Sequence, residues 1–66
     1  MNRIKEVLEE QGRSKKWLAM KLGKSYNMVN AYVCNRQQPR LETLHKIADI
    51  LDVDVIILLV SNKKDN

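Results

Sequence analysis

The strongest constraint on the fold of this chain lies between Ser14 and Asn35, where SKKWLAMKLGKSYNMVNAYVCN must change direction within a few residues. Leu18 and Leu22 share one helical face with the small Ala19 beside them, and the pattern stops at Gly23, which accepts the left-handed backbone a helix end needs. Ser25 offers an N-cap oxygen for a second helix whose apolar positions Val29, Tyr32 and Val33 recur at helical spacing. So few residues separate the two helices that they cross steeply. Ala19 then has a steric purpose, because a large side chain near the crossing would hold the helices apart.

The remaining chain supplies helices to pack against this pair. Ile4, Val7, Leu8 and Gln11 line the inner face of a first helix over about residues 2–11, capped by Asn2 and ended by Gly12. Ser14 caps the helix over 15–22, and the next is expected over 26–34 with Asn35 as its left-handed end. After the polar stretch Arg36–Arg40, the stripe Leu41, Leu44, Ile47, Ala48 and Leu51 predicts a helix over 41–51. Trp17 and Met20 read as packing residues and His45 as a surface residue. The segment 54–60 suits either a short helix capped by Asp54 or a strand, since a β-branched run this short does not separate them. Either way Val55, Leu58 and Leu59 are expected to close the core, leaving Ile56 and Ile57 facing away, and the polar end 61–66 is expected to fray.

A chain of 66 residues makes one domain, 1–60, with a single small core. One cysteine, Cys34, rules out an internal disulfide framework, and the sequence shows no Cys/His cluster for a metal, so self-association is the expected source of added stability. A lone cysteine and an acid-bearing amphipathic start point to a cytoplasmic protein with neither secretory signal nor transit peptide. An enzyme is not expected: there is no phosphate-binding glycine loop and no carboxylate pair in a plausible cleft, and the single histidine is unaccompanied.

Net charge is +4, but the layout matters more. From Gln11 to Leu41 there is no acidic residue, while Arg13, Lys15, Lys16, Lys21, Lys24, Arg36 and Arg40 are basic. This segregation gives a small domain one positive face, as a polyanion binder requires. Lys15 and Lys16 occupy the first helical turn after Ser14, where cations are unfavourable beside the helix dipole. A broken local rule there suggests phosphate binding by the two lysines with the free backbone N–H groups. The helix from Tyr26 carries Asn27 and Asn30 despite their poor helix propensity. Asparagine pairs bidentately with adenine in a major groove, and tyrosine can bond a phosphate or pack on a thymine methyl.

The order Leu18-Ala19, Gly23, Val29 and Tyr32, followed by Pro39, Leu41-Glu42-Thr43-Leu44, Ile47-Ala48 and Leu51-Asp52-Val53, resembles the phage-repressor and Cro-like helix-turn-helix family of bacterial regulators, also called the xenobiotic-response-element family. The resemblance covers nearly the whole chain. It implies an all-α, lambda-repressor-like bundle of four or five helices that binds double-stranded DNA as a homodimer on an approximately palindromic operator. By position, Tyr26, Asn27, Asn30 and Ala31 match the family's base-reading sites, and Lys15, Ser25, Arg36 and Arg40 its usual backbone contacts. The chain departs from the family at Val33, usually acidic, at Asn35, usually glycine, at Arg40, often a small capping residue, and at Ile56 and Ile57, commonly charged. The paired isoleucines are a candidate dimer contact. An antitoxin-like or adaptor module, docking a partner protein through the apolar segment 55–60, is the alternative from another class.

Overall fold

In the computed structural model, which describes residues 1–59, four α-helices occur in the order α1 (Ile4–Gln11), α2 (Lys15–Leu22), α3 (Tyr26–Val33) and α4 (Leu41–Leu51), followed by a single 3-10 turn, Val55–Leu58. α2 packs on both α3 and α4, α1 on α3, and the 3-10 turn on α4. Val60 and the polar end 61–66 lie outside the described residues.

Local chemistry sets the boundaries. The hydroxyl oxygens of Ser14 and Ser25 accept from the Trp17 and Met28 N–H groups at 2.9 and 3.1 Å, each satisfying an orphan donor of a first turn. All four helices then end alike. A residue with positive φ follows α1, α2 and α4 directly, Gly12 at 68°, Gly23 at 74° and Asp52 at 58°, and follows α3 after Cys34, Asn35 at 62°. The next N–H in each case reaches back to close the last turn, from Arg13 to the Leu8 carbonyl, Lys24 to Ala19, Arg36 to Ala31 and Val53 to Ala48. Asparagine and aspartate tolerate the left-handed conformation better than other side-chain-bearing residues, which explains why the two stops without glycine carry them.

One core results. Ile4, Leu18, Val29, Ile47 and Leu58 are fully buried, with Val7, Leu8, Ala19, Tyr32, Val33, Leu44, Ala48 and Leu51 packed among them. At about 25 cal/mol per Å² of apolar area, each fully buried aliphatic side chain contributes roughly 1.5–3 kcal/mol. Ala19 lies buried on α2, which packs closely on α3.

Several expectations shift. Asn2 does not stand at the N-cap, since α1 starts at Ile4 with Arg3 in that position. The Asn2 side chain nevertheless accepts the Ile4 N–H at 3.1 Å, two residues on. Gln11 is exposed rather than inside, and its amide donates to the Leu51 carbonyl at 2.7 Å, tying α1 to the end of α4. Leu41 is 65% exposed and Met20 70% exposed, so neither joins the core. Leu41 is the first residue of α4, and a helical side chain leans toward the N-terminal end, here past the edge of the core. Trp17 does pack on the core, half-buried. Asp54 precedes the 3-10 turn without a side-chain cap bond. Within 54–59 the segment takes the helical alternative only as a single 3-10 turn that buries Leu58, and forms no strand: Leu59 makes one isolated antiparallel bridge to Asn2. That bridge turns Leu59 outward, 47% exposed, so only Leu58 closes the core fully, with Val55 half-buried.

Asn2 is the buried polar residue at this junction, 4% exposed. Its amide nitrogen donates to the Tyr32 carbonyl at 2.9 Å and to Gln38 Oε1 at 3.0 Å. Asn35 answers it: Asn35 Oδ1 accepts the Asn2 backbone N–H at 2.7 Å, and Asn35 Nδ2 donates to the Asn2 carbonyl at 3.2 Å. The side chain at 35 thus clamps the start of the chain to the end of α3, a task glycine cannot perform.

Candidate nucleic-acid interface

The two serine caps and Gly23 bound α2 and α3, and of the residues singled out in the sequence Lys15, Lys16, Tyr26 and Asn30 come together where the start of α2 meets α3. Tyr26 and Asn27 open α3 and are exposed, while Asn30 and Ala31, a turn further on, are half-buried. Ser25 uses an oxygen lone pair on its own helix, which leaves its hydroxyl hydrogen to donate outward. Lys16, Arg36 and Arg40 are exposed, with Arg40 in the N-cap position of α4, so charge continues past the end of α3.

Lys15 is placed differently from Lys16. Its Nζ donates to Asn30 Oδ1 at 2.9 Å and lies 6.0 Å from the centre of the Tyr26 ring, within reach of the ring's negative face. A second donor, the Cys34 thiol, meets the same Asn30 oxygen at 3.5 Å. The first residue of α2 is therefore bonded to the middle of α3.

Between α1, the start of α2 and α3 runs a groove with Leu8 and Val33 among its lining, walled by Lys5, Arg13, Lys15, Lys16 and Tyr26, with Glu9 as its acidic member. Sequence reasoning left Lys5 out of the site and gave Arg13 no role beyond its charge. Arg13 stacks its guanidinium over the Trp17 ring at 4.2 Å, holding positive charge at this wall. The spacing of four residues between arginine and tryptophan was the available signal. Ile56, 73% exposed, and Ile57, 46% exposed, sit on the 3-10 turn. His45 is exposed on α4.

Two short helices joined through the left-handed Gly23 and the Ser25 N-cap, in a small all-α bundle with Tyr26 and Asn27 exposed at the start of the second helix, define the helix-turn-helix class. The helix-turn-helix family profile matches residues 4–58, and the chain belongs to that family, in its phage-repressor and Cro-like branch. It is similar to the crystal structure of a candidate DNA-binding protein from Bacteroides fragilis, at 45% identity and a TM-score of 0.86 over 88% of this chain and 94% of that one. Comparison with curated proteins gives no match.

Proposed function

We propose that this chain is a sequence-specific binder of double-stranded DNA and acts as a small transcriptional regulator, a repressor that occupies its operator. The observation that carries this reading is the juxtaposition on α3: Tyr26, Asn27, Asn30 and Ala31 present a polar, partly exposed face directly beside basic residues of an acid-free segment. In this reading α3 enters the major groove, Tyr26, Asn27, Asn30 and Ala31 meet base edges, and Lys16, Ser25, Arg36 and Arg40 hold phosphates, with Lys15 beside them. Similarity to the Bacteroides fragilis protein, described as a candidate DNA-binding protein, supports the same reading. Such a role places the chain in the cytoplasm, at the nucleoid.

The dimer belongs to the same proposal. Ile56 and Ile57 are exposed apolar residues on the last turn, and a domain this small gains stability by burying them against a second copy. Two-fold pairing would set two recognition helices about 34 Å apart and require an approximate inverted repeat with half-sites one helical turn apart. Exposure of Ile56, Ile57 and Leu59 also favours a second reading, in which this surface docks a different protein in the manner of an antitoxin or adaptor. Selection of duplexes from a random pool tests the first reading. A symmetric consensus, bound with an affinity that falls steeply as salt rises, is the expected outcome. Failure to enrich any sequence would reject it in favour of the docking module.

A further inference from the structure

Asn30 does not offer what a free asparagine offers. An ammonium group only donates, so the Asn30 atom that meets Lys15 Nζ at 2.9 Å has to be the amide oxygen. That oxygen has two lone pairs, and the Cys34 thiol, with Sγ 3.5 Å away, is within donor reach of the second. Both acceptor positions are filled from inside the protein. What remains for a ligand is the Nδ2 group with its two hydrogens, next to an ammonium that has further donors of its own.

We propose that Lys15 is a specificity-determining positioning residue: by saturating the Asn30 oxygen it turns Asn30 into a donor-only reader, so the base pair read there is G·C through guanine rather than A·T through adenine. The inference rests on the DNA-binding reading above. Its chemistry follows from the groove edges. Guanine shows two adjacent acceptors, N7 and O6, whereas adenine shows the N7 acceptor beside an N6 amino donor. Bidentate pairing of asparagine with adenine needs the amide oxygen to accept from N6, and here that oxygen is occupied. Two donor groups side by side, Asn30 Nδ2 and Lys15 Nζ, instead match the two acceptors of guanine. The Tyr26 ring, 6.0 Å from Nζ, favours the same placement of the ammonium. Asn27 is exposed, its side chain makes no hydrogen bond among the described residues, and it keeps the ordinary asparagine preference for adenine.

The test takes the selected duplex and first locates the base pair at which Asn30→Ala loses discrimination. The four base-pair variants at that position are then measured in competition with wild type, Lys15→Met and Lys15→Arg. Wild type is expected to favour guanine by about tenfold over adenine, the scale of one good bidentate contact. Lys15→Met frees the oxygen and should move the preference to adenine by about the same factor, while Lys15→Arg, still a pure donor, should retain guanine. Circular dichroism checks the fold of each variant, and Lys15→Ala replaces the methionine variant if that one is unfolded. Three results overturn the inference: adenine preferred by wild type, Lys15→Met weakening all four variants equally as a lost phosphate contact would, or Asn30→Ala altering no position. A wild-type protein that selects no duplex at all would instead reject the DNA-binding reading beneath it.

Discussion

Replacing Asn2 by alanine should cost this small domain a large part of its stability, although the residue lies beside the chain start and outside any helix. The buried side chain serves three partners: it accepts the Ile4 N–H and donates to the Tyr32 carbonyl and to Gln38 Oε1. Ile4 is the first residue of α1, so its N–H has no intrahelical acceptor and is stranded by the change, at about 1–3 kcal/mol. The Tyr32 carbonyl keeps the Asn35 N–H at 3.2 Å and loses only its second donor, about 0.5–1.5 kcal/mol. Gln38 is exposed and can turn to water, so it adds little. The sum, about 1.5–4.5 kcal/mol, is a large share of the roughly 5–15 kcal/mol that holds an ordinary domain together. Urea unfolding followed by far-UV circular dichroism and Trp17 fluorescence should show a lower midpoint with an unchanged slope. The thermal midpoint should fall by about 10–25 °C. A midpoint within experimental error of wild type would show that the Asn2 clamp is not a stabilising element and that water replaces it without cost.

The partner of that clamp gives a sharper comparison. Asn35→Gly loses the bonds to Asn2 but relieves the left-handed backbone, so it should stay within about 1 kcal/mol of wild type, whereas Asn35→Ala loses the bonds and keeps the strain, and should cost about 2–3 kcal/mol by the same urea titration. Arg36→Ala and Arg40→Ala should each lower the slope of log affinity against log salt by about one unit while leaving sequence preference intact; an unchanged slope in both would put the DNA on another face. Lysine at both Ile56 and Ile57 should weaken self-association in sedimentation and the cooperative filling of two half-sites, with weak binding to one half-site retained. Self-association equal to wild type would exclude the last turn from the dimer contact.

What could be read from the sequence was what neighbouring residues decide. Ser14, Ser25, Gly12 and Gly23 act on helix ends within a few positions, and they stand where the local chemistry placed them. The core stripes were legible for the same reason, except at Gln11 and Leu41, where the periodic pattern reaches a helix end that lies outside the core. The last segment could not be resolved because its conformation is settled by a distant residue: Leu59 is extended where it bridges Asn2, and nothing within 54–60 announces that. Family position marked Asn35 as a departure, and only the fold shows the compensating bonds across to Asn2. In the candidate site the residues were legible one at a time and their coupling was not. Lys15 and Asn30 stand fifteen positions apart, and their contact exists only once α2 and α3 cross.

The account stands on α3 as the element that reads DNA, and the most direct measurement is equilibrium binding of wild type, Asn27→Ala and Asn30→Ala to every single-base variant of the selected duplex. Each alanine variant is expected to lose discrimination at its own base pair, by roughly 1–3 kcal/mol where the contact is bidentate, with salt-dependent binding to unrelated duplex preserved. Retention of the full wild-type preference by both variants at every position would contradict it.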